Sequence, residues 1–333
     1  MNAVAKPASQ HRTPAGGRSH RYLVYGLALE SDVPLLSVDE APAEDVETAI
    51  RLTQTPTDTF RRRTESVAAD PQAWSHHALL EGGAVYMKIR GVFEAIVAPD
   101  GRQVDCLRPE EADQGSFEAN LLNFVMSTAL TQQGEEPLHA TVLDLAGRAI
   151  ALLGPSGAGK STLAAFLVGR GARLVTDDML RLSFFAGQGH AHYGPNRLKL
   201  LDEPAKRLLP EAIATGYFNT VSGKLMVRPD DRTGSRREPL PLAALIWLGN
   251  RPPEQGPGAT GVSASRLGGL ELIRVLTSSA MNIRDYAPQR LARQLRFVEQ
   301  VARTVPVFAL VYPRDYARLA DVADRIRSIV RDA

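Results

Sequence analysis

Residues 154–162 combine three glycines, a lysine and three hydroxyls at a spacing that suits phosphate binding. Their sequence, GPSGAGKST, matches the pattern G-x-x-x-x-G-K-[ST]. The glycines let the backbone curl so that successive N–H groups converge on phosphate oxygens, and the helix that follows directs its N-terminal N–H groups at the same anion. We therefore predict a P-loop that binds ATP through Gly154, Ser156, Gly157, Ala158, Gly159, Lys160, Ser161 and Thr162.

Two residues of this loop have roles that depend on their side chains. Lys160 is expected to reach the β- and γ-phosphates of the nucleotide, and the Ser161 hydroxyl is expected to ligate Mg²⁺. Pro155 has no N–H group, so it contributes only shape. The alternative interpretation is a chance glycine turn, but an apolar strand before the loop and a helix after it favour nucleotide binding.

Asp177 and Asp178 end the next apolar segment, ARLVTDD. If the strands are parallel, their carboxyl ends face one crevice, which would put this pair beside the P-loop. One carboxylate can bind Mg²⁺, directly or through water, and the other can accept the proton of an attacking hydroxyl. The alternative is an ordinary solvated turn at the end of a strand.

Several elements are needed to hold these groups. The sequence predicts a helix over 117–132 that stops at Gly134, a β-hairpin in which TVLDL and AIALL flank residues 146–148, and a helix over 162–170. Residues 252–261 are rich in proline and glycine and predict a loop. The tail, 285–331, predicts a helix, a strand (VPVFALVY) and a final helix.

The N-terminal third shows β patterning and no catalytic cluster. From Arg21 the sequence predicts one strand that runs into a turn at residues 31–34, and residues 83–105 predict two or three short strands with turns at Gly91 and at Asp100-Gly101. Residues 1–20 are rich in Pro, Gly, Ser and Ala. We predict an α/β protein with a disordered arm (1–20), a small β-rich N-terminal domain (21–112) and a P-loop kinase domain (115–331).

Composition narrows the class of protein. The 333 residues carry a formal net charge of +2, from 39 basic and 37 acidic side chains, which gives no electrostatic case for nucleic acid as a partner. No stretch reaches the ~20 apolar residues needed to span a bilayer, so no membrane association is expected. Cys106 is the only cysteine, and the N-terminus has no apolar signal core, so the cytoplasm is the expected location.

Three motifs in register resemble the HPr kinase/phosphorylase family. They are Leu138-His139-Ala140, the loop GPSGAGKST, and the segment RGARLVTDD at 170–178. The resemblance implies a kinase domain similar to that of phosphoenolpyruvate carboxykinase. It also implies Asp177 as the general base, Asp178 at the metal, and His139 assisting Asp177, and it leaves a homo-oligomer open. Without the resemblance, His139 would be read as an ordinary histidine at a strand entrance.

The sequence also departs from that family. Bifunctional members carry a second signature with a metal-binding glutamate, which the corresponding region here, YGPNRLKL at 193–200, lacks. The departure argues against reverse, phosphate-driven activity. The opening Tyr25-Gly26, followed by SDVPL at 31–35, instead resembles a subgroup of HPr-kinase-like proteins that includes kinases for the C-terminal serine of lasso-peptide precursors.

Basic residues follow the predicted nucleotide site, at Arg197, Lys199, Lys224 and Arg228. A kinase needs cations near the charge that develops on the transferred phosphoryl group, so these four are candidate substrate residues, with a solvated basic face as the alternative. The predicted function is an ATP-dependent kinase acting on a serine of a peptide or small protein. Alternatives are a small-molecule kinase of the shikimate or gluconate type and a non-catalytic ATP-binding regulatory module.

Overall fold

The computed structural model describes residues 19–41, 47–67, 72–214, 216–229, 238–249, 261–282 and 287–332. These residues form a mixed α/β structure with three sheets, which confirms the predicted α/β class. Of the predicted arm at 1–20, residues 1–18 lie outside the described residues, and His20 belongs to a strand. The predicted loop at 252–261 lies outside them up to residue 260.

The first sheet has seven strands in the order β1-β2-β3-β7-β6-β5-β4. They are β1 (His20–Val24), β2 (Leu27–Ser31), β3 (Ile50–Gln54), β4 (Ser75–Leu79), β5 (Val85–Ile89), β6 (Phe93–Val97) and β7 (Gln103–Leu107). The single strand predicted from Arg21 is wrong, because Tyr25 and Gly26 adopt positive φ angles of 55° and 71° and fold the segment into a β1–β2 hairpin. The predicted turns at Gly91 and Gly101 are confirmed.

Eight α-helices lie within the described ranges. They are α1 (Thr57–Thr64), α2 (Gln114–Asn120), α3 (Met126–Gln132), α4 (Lys160–Val168), α5 (Asp202–Leu208), α6 (Gly269–Ser279), α7 (Pro288–Thr304) and α8 (Leu319–Asp332). The helix predicted over 162–170 therefore begins two residues earlier. The predicted order in the tail, helix then strand then helix, is confirmed.

The helix predicted over 117–132 is present but interrupted. A π-helical segment, Leu121–Val125, joins α2 to α3, and Gly134 follows the end with φ 89°. Asp113 begins the helix, since its side chain accepts a hydrogen bond from the Ser116 N–H at 2.7 Å. The apolar side of this helix packs into the core of the first sheet. The division into domains at 112–115 stays a prediction.

The second sheet has eight strands, with the path β10-β8-β9-β16-β12-β11 and with β18 pairing both β16 and β17. They are β8 (Thr141–Leu145), β9 (Arg148–Leu153), β10 (Arg173–Thr176), β11 (Leu182–Phe185), β12 (Gln188–Ala191), β16 (Leu240–Trp247), β17 (Ser263–Arg266) and β18 (Val307–Val311). Ile150 and Leu152 face the core beneath α4 and α8, whereas Ala149 and Ala151 face the core beneath α6 and α7. This burial on both faces explains the continuous apolar run of β9.

Strand direction brings the chemistry to one edge of this sheet. The hairpin of β8 and β9 is confirmed, so β8 runs antiparallel to β9 and also to β10. The expectation that β9 and β10 are parallel neighbours is therefore wrong, because β8 lies between them. Both strands still point the same way, and β16 and β18 run parallel to β9. The carboxyl ends of these four strands consequently share one edge.

A third sheet, in the order β13-β15-β14, lies beside that edge. Its strands are β13 (Leu198–Leu200), β14 (Tyr217–Asn219) and β15 (Lys224–Val227). A tight turn precedes Lys224, with Gly223 at φ 64°. Among the residues described, no helix combines the length and the apolar character that crossing a bilayer requires.

Candidate functional site

The loop between β9 and α4 has the backbone shape that phosphate binding needs. Gly154, Gly157 and Gly159 adopt φ angles of 144°, 77° and 88°, which side chains other than glycine strongly disfavour. Gly159 occupies the N-cap position of α4, and the helix begins at Lys160. The first N–H groups of a helix have no intrahelical acceptor, so those of α4 are available to an anion at this loop.

Lys160 lies folded against its own loop. Its Nζ donates to the carbonyl oxygen of Gly154 at 2.7 Å and to that of Pro155 at 3.3 Å, and the side chain is buried. Burial lowers the pKa of the ammonium below its ordinary value, and Lys224 acts in the same direction, while Asp177 and Asp178 oppose the shift. The two carboxylates therefore help to keep a buried cation in place beside the loop.

Asp177 is buried with both carboxylate oxygens engaged. Oδ1 accepts a hydrogen bond from the Thr141 hydroxyl at 2.7 Å, and Oδ2 accepts one from the backbone N–H of Lys199 at 3.0 Å. Burial raises the pKa of this carboxyl above its ordinary value, and the neighbouring Asp178 raises it further. A carboxylate with a raised pKa and a fixed orientation is suited to accepting a proton.

Asp178 has different surroundings. It adopts a left-handed backbone conformation, φ 74°, and its carboxylate forms an ion pair with the ammonium of Lys199. Burial by itself would raise the pKa of Asp178, but Lys199 outweighs burial and holds the pKa below its ordinary value. Asp178 is therefore kept ionised, which suits a partner for a cation.

His139 stands at the entrance to β8, beside the same carboxylates. Its Nδ1 lies 2.9 Å from the backbone carbonyl oxygen of Asp178, so Nδ1 carries the hydrogen and Nε2 is left as the acceptor. Burial lowers the pKa of the imidazole, and Lys160 lowers it further. The ring is consequently neutral near pH 7 and can accept a hydrogen bond from a hydroxyl.

These groups meet in one cavity of about 380 Å³. The predicted residues that line it are His139, Ser156, Gly157, Ala158, Gly159, Lys160, Ser161, Thr162, Asp177, Asp178, Lys199 and Lys224. We call it the reaction cavity. Gly154 does not line it, but allows the close approach of the loop to β16, where a Cβ would lie 2.8 Å from the carbonyl oxygen of Leu248.

Two of the predicted substrate residues lie elsewhere. Arg197 is only 3% exposed, and its guanidinium donates to the Ser37 hydroxyl at 2.9 Å and pairs with Glu118 at 3.5 Å. Arg228 is exposed and donates to the backbone carbonyl of Leu36. Neither side chain lines the reaction cavity. Both side chains bind the segment after β2, at Ser37 and Leu36, and so have a structural role. The residues next to them in the sequence did not indicate this role.

Several residues that line the site were not predicted from the sequence. Asn123 and Phe124, from the π-helical segment, line the reaction cavity. Asn123 is buried, and no hydrogen-bond partner for its Oδ1 occurs among the described residues. Such π-helical insertions are frequent at functional sites, but a helical apolar pattern does not show where one occurs. Thr141, which orients Asp177, could have been noticed as a hydroxyl at the start of β8.

A smaller cavity of about 230 Å³ lies on the other side of the loop. Gly157, Gly159 and Thr162 form one wall, and Tyr312, Arg314 and Tyr316 form the other. Arg314 donates to the Gly157 carbonyl oxygen at 2.8 Å. Aromatic and guanidinium planes of this kind suit a flat heterocycle. The polar segment PRDY at 313–316, shortly after β18, could have indicated this cavity from the sequence. The carboxyl end of β18 lies at the same edge of the sheet as that of β9, which leads into the loop.

The side chains present fit Mg²⁺ held jointly with phosphate. Mg²⁺ prefers oxygen ligands, keeps several waters, and usually takes one or two carboxylates beside substrate phosphates. Ser161 and Asp178 supply a hydroxyl and an ionised carboxylate to the reaction cavity. No group of three or more His, Cys, Asp or Glu side chains arranged for a metal occurs in the described part of the chain, so the fit depends on the nucleotide's own oxygens.

The chain was compared with known proteins. No family model matches it, and no curated protein matches it. Among solved structures it is similar to the Hpr(Ser) kinase/phosphatase from Coxiella burnetii, at 12% sequence identity and a TM-score of 0.30. That similarity covers 58% of this chain and 94% of that chain. A similarity at this TM-score does not indicate an activity, which has to be inferred from the residues of the site.

Proposed function

We propose that the protein is an ATP-dependent kinase that transfers the γ-phosphoryl group to a serine hydroxyl of a peptide or small protein. One observation carries the proposal: a single cavity joins an anion-binding loop, a lysine, two carboxylates and a neutral histidine. An anion-binding loop alone would suit any phosphate ligand. Transfer to a hydroxyl also requires a proton acceptor and a partner for a cation. Asp177, with a raised pKa, and Asp178, with a lowered pKa, are suited to these two tasks.

The nucleotide's phosphates are assigned to the loop. The N–H groups around Gly157 and Gly159, with the first turn of α4, receive the phosphate oxygens, and Lys160 moves from the Gly154 carbonyl to the β- and γ-phosphates. Ser161 and Asp178 would hold Mg²⁺, which neutralises the charge that develops on the transferred group. The heterocycle of ATP is assigned to the smaller cavity at Tyr312 and Arg314.

The acceptor hydroxyl is assigned to Asp177 and His139. Asp177 accepts the hydroxyl proton as the oxygen attacks the γ-phosphorus and the bond to the β-phosphate oxygen breaks, leaving ADP. Thr141 and the Lys199 N–H hold the carboxylate in place for this step. The hydroxyl has a single proton, which goes to Asp177, so His139 assists by donating from Nδ1 to the Asp178 carbonyl oxygen at 2.9 Å, which holds the backbone of the aspartate pair in place.

The acceptor class depends on the sequence resemblance. Peptide or protein serine is favoured by the three motifs in register around His139, the loop and Asp177. The N-terminal resemblance favours a lasso-peptide precursor in particular. The absence of a metal-binding glutamate from 193–200 favours one-way transfer, with little attack by inorganic phosphate on the phosphoserine.

The test is mass spectrometry of serine peptides, lasso-peptide precursors among them, incubated with the full chain, ATP and Mg²⁺. We expect a gain of one phosphoryl group on serine, and loss of that gain in Lys160→Ala. Lys206→Ala is the matched control, because Lys206 is exposed and pairs with Asp202 on α5. Phosphorylation of a sugar acid or shikimate in place of every peptide would overturn the substrate class. Nucleotide binding without transfer to any acceptor would overturn the proposed kinase activity.

The direction of the reaction is tested with the phosphorylated product. Incubation of that product with Mg²⁺ and excess phosphate should leave the phosphoserine intact. Rapid dephosphorylation with release of pyrophosphate would contradict one-way transfer.

A further inference from the structure

A second cavity, of about 540 Å³, adjoins the reaction cavity. The two share Phe124, Lys199 and Ser222 as lining residues. Its volume lies within the range of roughly 300–1,000 Å³ that is typical of binding pockets. No sequence pattern predicted this cavity, and the functions proposed above for the loop and the aspartates do not use it.

Three separate parts of the fold build this cavity. Strands β4 and β5 of the first sheet supply one wall, the π-helical segment supplies the second, and the turn between β14 and β15 supplies the third. Beside Ala119 and several polar residues, six large apolar side chains line it: Trp74, Met87, Ile89, Phe93, Phe124 and Val221. We call these six residues and the space between them the acceptor cleft. The first sheet thus contributes directly to a space that opens onto the reaction cavity.

The chemistry of the cleft is apolar with a cationic margin. Trp74 and Phe124 are 54% and 43% exposed, so two large apolar side chains remain in contact with water here. Covering them with an apolar group is favourable by about 25 cal/mol per Å². The charged residues of the described lining are Lys88 and Lys199, with no Asp or Glu among them. Lys88 forms an ion pair with Glu94 at 3.0 Å, and Lys199 pairs with Asp178.

We propose that the acceptor cleft binds the segment of the acceptor next to the phosphorylated serine and selects an apolar side chain there. The proposal rests on the kinase function assigned above. Continuity with the reaction cavity identifies the occupant, because Phe124, Lys199 and Ser222 line both spaces, so that a chain whose hydroxyl reaches Asp177 can extend past Phe124 into the cleft. The two spaces share lining residues, and an extended chain advances about 3.3 Å per residue, so the selected position lies within a few residues of the serine.

The lining also excludes other chemistry at that position. A basic side chain would be placed beside Lys88 and Lys199 without a carboxylate partner in the described lining, and an acidic side chain would have to compete with Glu94 and Asp178, which already pair with those two lysines. The cleft therefore discriminates by desolvation as well as by fit, which is how apolar sites reject polar groups.

The first experiment is a positional scan of serine peptides, with ATP and Mg²⁺, using the full chain. The parent should prefer Leu, Met or Phe over Asp or Lys near the serine by roughly tenfold or more, the effect of burying one apolar side chain. Trp74→Ala and Phe124→Ala should each reduce that preference. Phe185→Ala is the matched control, since Phe185 is 50% exposed and lines neither cavity. An unchanged preference in both cleft variants would overturn the proposal.

The second experiment measures binding without requiring phosphoryl transfer. The chain has two tryptophans, so Trp247→Phe leaves Trp74 as the only indole reporter. Titration with a peptide in which serine is replaced by alanine and flanked by leucine should change Trp74 emission saturably. The same peptide flanked by aspartate should not. Calorimetry with the unaltered chain repeats the measurement independently of the substitution.

The outcomes separate the two proposals. If Trp74 responds but no peptide is ever phosphorylated, the kinase function fails and the cleft remains a peptide site. If peptides are phosphorylated but Trp74 and calorimetry show no preference for the apolar flank, the cleft proposal fails alone. A change of emission on removal of residues 1–18, or on dilution of the chain, would identify the occupant as the chain's own N-terminus or a second copy, and would also overturn it.

Discussion

Asp177 and Asp178 are adjacent in sequence, but their surroundings suit them to different tasks. Asp177 is held by Thr141 and a backbone N–H and has a raised pKa, whereas Asp178 is paired with Lys199 and has a lowered pKa. Titratable neighbours whose pKa values are pushed apart are a recurring sign of divided acid–base roles. We therefore propose Asp177 as the base and Asp178 as the partner of the cation.

Asp177→Asn tests this assignment. An amide can still accept from the Lys199 N–H and donate to the Thr141 hydroxyl, so the fold should survive, but it cannot accept a proton. Phosphoryl transfer should fall by ~10²–10⁴-fold, with nucleotide affinity largely kept, as measured by single-turnover kinetics and calorimetry. Asp178→Asn is the paired variant and should raise the Mg²⁺ concentration needed for activity. If Asp178→Asn abolished transfer while Asp177→Asn did not, the two roles would be reversed.

At the scale of elements, the hairpin of β8 and β9 and the helix before it were predictable, but the π-helical segment within that helix was not. The alternation of TVLDL and AIALL around Ala146-Gly147 specifies the hairpin locally, and Gly147 supplies the positive φ that its turn needs. The π-helical segment depends on how residues 121–125 pack against the first sheet. In the sequence this packing appears only as a pattern of apolar positions, and an uninterrupted α-helix would have the same pattern. Asn123 and Phe124 could therefore not be assigned to the site beforehand.

Gly154 connects β9 to the loop, and its substitution tests how closely this element must pack. In Gly154→Ala the Cβ would meet the Leu248 carbonyl oxygen at 2.8 Å and the Ala158 Cβ at 3.0 Å, at a φ of +144°. Gly223→Ala is the matched control, because Gly223 also has a positive φ, +64°, but no atom within 4 Å of the new Cβ.

We expect Gly223→Ala to lower the free energy of unfolding by about 1–2 kcal/mol through backbone strain alone. Gly154→Ala should lower it by a further ~1–3 kcal/mol, because the crowded Cβ forces the loop away from β16. Urea midpoints measure both losses, and nucleotide binding should weaken only in Gly154→Ala. Equal midpoints for the two variants would contradict the close approach.

At the scale of the whole molecule, sequence patterns gave the order of elements but not which sheets they join. The helix at 114–132 follows the predicted boundary, yet it packs on the first sheet, and Arg197 lies in a buried pair with Glu118 from that helix. Contacts between parts about 80 residues apart in the chain leave no periodic signal. This is why the acceptor cleft, which lies between the first sheet and the third, was invisible in the sequence.

A histidine lies where the first hairpin meets the second sheet. The Tyr25 N–H donates to the Tyr193 carbonyl oxygen at 2.6 Å, and Arg181 donates to the Tyr25 carbonyl oxygen at 2.9 Å. His192 is buried against Gly26, with Nε2 3.0 Å from the Ser183 hydroxyl. Burial lowers the pKa of His192 to about 4, and Arg181 acts in the same direction. Protonation of this one ring therefore opposes the junction of the two sheets.

The pH dependence of unfolding tests that coupling. The unfolded chain binds a proton at His192 near the ordinary pKa of 6.5, and the folded chain binds it only near 4. The stabilisation is thus fully present above pH 6.5 and is lost as the pH falls to about 4, by an amount on the order of 3 kcal/mol. His192→Gln can keep a hydrogen bond to Ser183 but does not titrate, so its urea midpoint should fall less steeply over this range. Identical slopes in His192→Gln and the parent would show that the junction of the two sheets does not depend on a neutral His192.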